Sequence, residues 1–344
     1  MQSKKVDNIV QDISKNEKIL ENNKYNSGCL VVKEANEWIE EAKKRPIPNM
    51  LFSELWYENE VCILFSDTNN GKSVLGVQIG ESISSGIPIP GFKLECKPKN
   101  VLYLDFEMSD KQFENRYSNN YQSHYNFSSN FLRAEINAEQ DIPKKYKGVE
   151  DYLCDTLQET IKANNVSVLI IDNLTFLSSE NEKAKDALVL MKTLKKVSKS
   201  ENISILVLAH TPKRDQSKPI TKNDLAGSKM LMNFCDSSFA IGSSSQNHSY
   251  KYIKQIKQRN TEHVYHSENV VLCSIEKPTN FLGFQFIGFE AEKDHLKTFD
   301  SSDIDERDEK MEHMILEGIS NVQIGEYLGL SEGAIRKRRK KLGI

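Results

Sequence analysis

Between residues 50 and 290, short apolar runs alternate with longer segments whose apolar positions recur at helical spacing. The runs at 61–65, 101–106, 166–171 and 203–209 predict buried strands, and the patterns at 73–84, 149–163 and 183–199 predict helices. Strand and helix in alternation build a parallel sheet covered by helices on both faces. Further strand-like runs follow at 237–241, 251–256, 269–276 and 281–288, with no helix-length segment between the last two. That pair predicts an antiparallel hairpin at the sheet edge. The expected fold class is α/β, a mostly parallel sheet flanked by helices, followed by a small all-α domain.

The flanks read differently. Residues 1–45 are rich in Lys, Asn and Glu, with Ala35, Trp38, Ile39 and Ala42 on one face of a weak helical pattern. Pro46 and Pro48 then break the pattern and open the sheet domain, expected over 46–290. Residues 291–309 carry Asp294, Asp300, Asp303, Asp305, Glu306, Asp308 and Glu309 and read as an acidic linker. Three short helices are expected over 310–344. Met311 to Gly318 forms the first, with Met311, Met314 and Ile315 on one face. Ser320-Asn321-Val322-Gln323 is a capping-box pattern that opens the second, which carries Ile324, Tyr327 and Leu328. Gly329-Leu330-Ser331 supplies a turn and a new cap, and 332–341 is a strongly basic third helix.

Composition limits the chemistry. The chain has 344 residues and a formal charge of -3, so nucleic-acid contact must come from a local basic patch. Cys29, Cys62, Cys96, Cys154, Cys235 and Cys273 are scattered without C-x-x-C spacing. Cys62, Cys235 and Cys273 lie in apolar runs and read as core thiols of a reducing compartment. No long apolar segment and no signal-peptide pattern is present, so the expectation is a soluble, cytoplasmic chain without membrane contact.

The candidate chemistry starts at Ser66-Asp67-Thr68-Asn69-Asn70-Gly71-Lys72-Ser73, placed after the run 61–65 and before a helical pattern that begins at Val74. Strand, Gly-Lys-Ser turn and helix form the layout of a phosphate-binding P-loop, whose backbone N–H groups and helix N-terminus face a β-phosphate. Lys72 would reach the β- and γ-phosphates of ATP, and the Ser73 hydroxyl would sit on Mg²⁺. The motif wants Gly where Ser66 stands, because Gly permits backbone conformations that strain other residues. A chance Gly-Lys-Ser turn is the alternative. Asp172 ends a buried strand, as does a carboxylate that orients the Mg²⁺ shell; it could instead cap the following loop. Glu107 ends the strand between them and could accept a proton from an attacking water, or be a solvated residue before an N-cap at Ser109. His210 ends the strand 203–209, at the edge where ligands of parallel sheets bind, and could sense the γ-phosphate or be structural.

With these residues in place, the chain resembles RecA-like ATPases of the hexameric-helicase branch, nearest the plasmid RepA helicases, with DnaB and KaiC more distant. Glu107-Met108-Ser109 resembles the DnaB element whose Glu is the catalytic base. Leu208-Ala209-His210-Thr211 through Lys213 resembles the His-Thr-x-Lys element of RepA-like proteins. Lys257-Gln258-Arg259-Asn260 resembles the Lys-x-Arg-Asn segment of DnaB. The resemblance implies a homo-oligomer, a hexamer, in which Lys257 and Arg259 reach the γ-phosphate of a neighbouring subunit; a solvent-facing basic strand is the other reading. Residues 46–110 also resemble ATPases of mobile elements from Bacteroidetes-type bacteria.

Two regions could face DNA. Lys213, Arg214, Lys218 and Lys222 lie in a polar stretch that, in RecA-like rings, faces the central channel; a plain surface loop is equally open. The C-terminal pattern resembles the helix-turn-helix of sigma-factor region 4 and response regulators. In that resemblance Ser331, Glu332, Gly333 and Arg336 face the major groove, and Lys337, Arg339 and Lys340 face phosphates. The resulting expectation is a DNA-binding ATPase acting as a helicase or translocase in plasmid or mobile-element replication or transfer. An ATP-gated DNA-binding regulator is the alternative, and a scaffold with a degenerate loop, suggested only by Ser66, is a third.

Overall fold

The computed structural model describes residues 30–137, 141–146, 149–173, 183–212, 214–225, 228–297 and 301–344. The chain divides into two compact units, residues 1–48 and 49–344. The described part of the first holds helix α1 (Ala35–Lys43), none of whose residues is buried. Trp38 and Ile39 are exposed on it, and the Lys33 ammonium stands 5.0 Å from the Trp38 ring.

The second unit is built on a nine-stranded sheet. In chain order the strands of this sheet and the helices among them are β1 (Val61–Ser66), α2 (Lys72–Ser85), β2 (Val101–Asp105), α3 (Asp110–Arg116), β3 (Phe131–Ala134), α4 (Val149–Ala163), β4 (Val168–Asp172), α5 (Lys183–Glu201), β5 (Ser204–His210), α6 (Ser228–Phe234), β6 (Ser237–Ser243), β7 (Tyr250–Lys257), β8 (Val270–Glu276) and β9 (Gly283–Glu290). The strand order is β9-β8-β7-β6-β1-β5-β4-β2-β3. The pairings from β6 through β3 are parallel, and those from β6 through β9 antiparallel. The sheet is thus mostly parallel and flanked by helices, with the expected antiparallel hairpin, β8–β9, at its edge. Strand β3, absent from the sequence expectation, closes the other edge.

Alternation along each strand sorts the core into two layers. Cys62 and Leu64 of β1, Tyr103 of β2 and Ile170 of β4 join α2 on one face. Val61, Ile63 and Phe65 of β1, with Leu169 and Ile171 of β4, join Leu157, Ile161, Met191, Leu194 and Leu231 of α4, α5 and α6 on the other. Residues i and i+2 share a face of a strand, so a central strand covered on both sides is apolar throughout. That is why β1 is buried along its whole length.

The stretch read as linker, 291–309, is not one. Glu292 and His295 of a 3-10 turn are buried, and the Glu292 carboxylate pairs with the Lys254 ammonium of β7. Helix α7 (Ser301–Leu316) then begins ten residues before the predicted start at Met311. Acidic residues could line a linker or one face of a helix, and Asp308 shows why sequence alone mistook the case: its carboxylate takes a two-pronged contact from Arg338, thirty residues on. Helices α8 (Asn321–Leu328) and α9 (Glu332–Leu342) follow, with the capping box Ser320–Gln323 formed as expected. Met311, Ile324 and Ile335 form a small core between the three. Gly325 permits the close approach of α8 to the next turn, since a Cβ there would lie 2.6 Å from the Leu330 carbonyl oxygen.

Candidate functional site

The parallel registers bring four strand ends to one edge. Ser66 pairs with His210, and Asp105 with Asp172. The loop after β1 therefore meets the ends of β5, β4 and β2. Ser66 itself is buried in strand conformation, and the left-handed backbone of this loop falls on Asn69 (φ 63°) and Gly71 (φ 83°). The first position of the loop thus needs no glycine. Gly71, the residue before α2, does: besides its φ, a Cβ there would meet Ile275 at 2.5 Å.

Lys72 folds over its own loop. Its ammonium donates to the carbonyl oxygens of Ser66 at 3.1 Å and Asp67 at 3.3 Å, and stands 3.1 Å from His210 Nδ1. Burial pushes its pKa down, against the pull of Asp172, Glu107 and Asp67. His210 continues the chain of contacts. Its Nε2 stands 3.0 Å from Asn173 Nδ2 and 3.4 Å from Glu107 Oε1, and Asn173 Nδ2 also donates to Glu107. The hydrogen bond to His210, ahead of the charges of His210, Lys72 and Arg116, holds Glu107 below the ordinary carboxylate range. The carboxylate is therefore ionised, partly exposed and oriented by its neighbours, so it can accept a proton.

The turn that presents Glu107 is itself anchored. The Asp105 carboxylate accepts from the backbone N–H groups of Glu107 at 3.1 Å and Met108 at 2.9 Å. Arg133 of β3 donates to Asp105 at 3.0 Å, to Asp110 at 2.7 Å and to the Met108 carbonyl at 2.8 Å. Ser109 then caps α3 in a complete capping box with Gln112.

Asp172 is almost wholly buried, and burial pushes its pKa up against the neighbouring hydroxyls of Ser73 and Tyr103. Tyr103 donates to Oδ2 at 2.5 Å, while Oδ1 is buried and, among the described residues, has no partner within ordinary hydrogen-bond geometry. A serine hydroxyl beside a carboxylate oxygen with open valence fits Mg²⁺ and its water shell, a hard cation that prefers oxygen donors. Beside them a cavity of about 360 Å³ is lined by Ser73, Glu107, Met108, Gln112, Asn115 and Arg116. Arg116 Nη1 is buried, with no hydrogen-bond partner among the described residues. A cation held open beside Ser73 and Glu107 suits an anionic ligand.

Other expected residues lie elsewhere. Thr68 and Asn69 are exposed on the loop, Val74 is buried in the first turn of α2, and Asp67 accepts from the Thr211 hydroxyl. Lys257 and Arg259 follow the antiparallel strand β7 to the opposite edge of the sheet, where Lys257 pairs in register with Ser238. They do not join the nucleotide cluster of their own chain. Lys257 donates to the carbonyls of Met232 and Cys235, closing the end of α6, and Arg259 pairs with Asp236 at 3.2 Å. Arg214, expected as a loop cation, is turned inward: its side chain is 9% exposed, with Nε 3.9 Å from Asp67. Lys213 lies outside the described residues.

In the three C-terminal helices Ser331 caps α9, and Glu332, Gly333, Arg336, Lys337 and Lys340 are exposed. Glu332 and Arg336 pair with each other at 2.5 Å. Arg339 instead donates to Asn321 at 2.9 Å within the same three helices.

Four contributors were not singled out from sequence: Asn173, Tyr103, Arg116 and the Asp105–Arg133 anchor. Asn173 directly follows Asp172, and Arg116 falls two helical turns after the cap Ser109, so both carried a positional signal. Tyr103 and Arg133 carried none.

Residues 32–216, more than half of the chain, match the family described as AAA domain. No curated protein matches the chain. Among solved structures, it is similar to a KaiC-like protein from the hyperthermophilic archaeon Pyrococcus horikoshii OT3, at 11% identity and a TM-score of 0.47, covering 67% of this chain and 91% of that one.

Proposed function

The chain belongs to the AAA domain family of P-loop ATPases, and on that premise we propose that it hydrolyses Mg-ATP at the strand-end cluster and uses the cycle to act on DNA. The observation that carries the hydrolysis reading is the continuous contact from Lys72 through His210 and Asn173 to Glu107. It links a phosphate-binding cation to a base, through a residue placed to register whether a γ-phosphate is present. Residues Ser66 to Val74 cradle the phosphates, with Lys72 leaving its own loop carbonyls for them. Ser73 and Asp172 hold the metal and its water. Mg²⁺ supplies charge neutralisation on the phosphate oxygens. Glu107 takes the proton of the attacking water, and Arg116 offers a second cation to the same region.

The DNA role rests on the exposed basic face of α9, with Ser331, Glu332, Gly333 and Arg336 toward bases and Lys337 and Lys340 toward phosphates. Arg339 contributes to holding the three helices together. Lys257 and Arg259, distant from the site of their own chain, would complete a neighbour's site in a ring-shaped homo-oligomer by exchanging their present partners, the Met232 and Cys235 carbonyls and Asp236, for a γ-phosphate, and the exposed Trp38 face of α1 suits packing on another subunit. Arg259, which is about half exposed, is the better candidate finger than Lys257. Work at a plasmid or mobile-element origin, by unwinding or translocation, is the reading preferred. A nucleotide-gated regulator that reads DNA through the three C-terminal helices, without translocation, is the alternative.

Steady-state ATP hydrolysis with and without single- and double-stranded DNA tests the proposal, beside Glu107→Gln and Lys72→Ala. Turnover stimulated by DNA and lost in both variants is expected. ATP binding without turnover would leave the regulator, and no ATP binding would end both readings.

A further inference from the structure

A second polar cavity, of about 510 Å³, lies at the same sheet edge on the far side of the P-loop strand. It is lined by Gln216, the serines 243–245, His248, Lys251, His295 and Lys297. The walls are fixed by backbone contacts: Ser245 N donates to the His295 carbonyl at 2.9 Å, and Lys297 N to that of Gln216 at 3.1 Å. His295 is buried, with Nδ1 2.9 Å from the Ser244 hydroxyl. Its Nε2 stands 3.2 Å from Glu290, which is not part of the lining.

Lys251 is the anomaly. It is 8% exposed, and among the described residues its ammonium meets the His248 carbonyl at 3.0 Å and the Ser243 hydroxyl at 3.4 Å. Among the described residues no carboxylate comes within 4.0 Å of it. Desolvation alone pushes its pKa down, with no opposing charge. Three positions along the same strand, Lys254 is equally buried but pairs with Glu292. Burying a cation without a counter-charge is costly, and the cost is recovered when an anion fills the site. Among the described residues no ring but the two histidines lines the cavity, and its cation, hydroxyls and imidazoles suit a ligand held by its charge and oxygens. The cavity also touches the P-loop: the Ser243 hydroxyl donates to Asn70 Oδ1 at 2.5 Å.

We propose that this cavity is a second oxyanion site, in which Lys251, with the serine hydroxyls and His248, binds the phosphate group of a ligand distinct from the hydrolysed nucleotide, one hydroxyl away from the P-loop. The phosphate belongs either to a nucleic-acid backbone or to a small phosphorylated molecule. The site is independent of whether the P-loop hydrolyses ATP.

The test uses the full chain with ATPγS and Mg²⁺ filling the P-loop. Inorganic phosphate is titrated by calorimetry, and fluorescein-labelled ten-nucleotide oligo-dT by anisotropy. Lys251→Met should weaken at least one of the two ligands tenfold or more, while Lys251→Arg retains most of the affinity. Loss with oligo-dT identifies a nucleic-acid backbone; loss with phosphate alone identifies a small ligand. His248→Glu, at an exposed position, places a negative charge at the cavity and should weaken the same ligand even if Lys251→Met fails to fold. Unchanged affinity for both ligands in the folded variants overturns the site. A chain that binds no ATPγS would count against the nucleotide reading alone, and the titrations then proceed on that chain with the same variants deciding.

Discussion

The two ends of the parallel strands carry similar residues in opposite conditions. At the starting end, Asp236 accepts from the Val61 backbone N–H at 3.0 Å, from Arg259 at 3.2 Å and from Lys195. Glu60 accepts from Ser237 at 2.6 Å and Asn260 at 2.7 Å, and Lys257 is spent on two carbonyls. At the finishing end, Asp172 Oδ1 and Arg116 Nη1 are buried without partners among the described residues, and Lys72 is held by neutral acceptors. Buried polar groups are normally satisfied within the fold. At the starting end the charged groups are paired, and the unpartnered atom among the described residues is the neutral Gln258 Oε1; that end therefore reads as architecture, and the finishing end, where charged groups are left open, as a place prepared for a ligand. Charge content alone would not separate them.

Substitutions can break this contrast. The largest effect is expected for Glu107→Gln, which should lower turnover by about 10³-fold while leaving the melting temperature unchanged, since its carboxylate is partly exposed; comparable turnover in the variant would remove Glu107 from the chemistry. Asp236→Ala should do the reverse. It strands a backbone N–H and two cations, so we expect about 2–3 kcal/mol of lost stability in urea denaturation with ATP affinity intact. Tyr103→Phe sharpens the comparison within the finishing end, because it removes the one hydroxyl that fixes Asp172 Oδ2. The Mg²⁺ concentration needed for half-maximal nucleotide binding should rise about tenfold, as for other groups that orient a metal ligand, whereas metal-free binding should not move.

A smaller effect concerns pH. Glu107 has its pKa lowered, so the ionised base persists below the ordinary glutamate value of 4.5 and is lost only as pH falls through the lowered value. The acid limb of kcat/KM should lie below that of His210→Ala, in which the leading cause of the shift is gone. Coincident limbs would show that this hydrogen bond does not set the titration.

Much of the finishing end could be read in the sequence because its parts are local. A strand, a Gly-Lys-Ser turn and a helix are contiguous, and carboxylates or a histidine directly after apolar runs mark strand ends. Helix α4 begins and ends where its periodicity predicts, and the caps at Ser109, Ser320 and Ser331 form as their spacing suggests. The anchors were not legible because they depend on which strands become neighbours. Arg133 reaches Asp105 only because β3 pairs beside β2, and Tyr103 meets Asp172 only because β2 pairs beside β4. The inward turn of Arg214 has the same origin, since its partner Asp67 comes from the loop after β1. Asp308 was misassigned for a related reason: its role is set by Arg338, and a run of acidic residues gives no hint of a distant guanidinium.

The strand conformation of Ser66 bears on how such loops are recognised. A pattern that demands glycine at the head of the loop selects for a residue type, whereas the backbone here asks for left-handed geometry only at Asn69 and Gly71. Any small side chain compatible with a buried strand end can stand first. A template written as dihedral requirements by position, tolerant at the head and strict before the lysine, would admit chains that a residue-letter pattern discards. The same template predicts that Ser66→Gly relieves no strain: it removes the hydroxyl that donates to the Asp67 carbonyl at 2.9 Å and stands 3.4 Å from the Lys72 ammonium, and the freedom added to the unfolded chain alone costs about 0.5–1 kcal/mol.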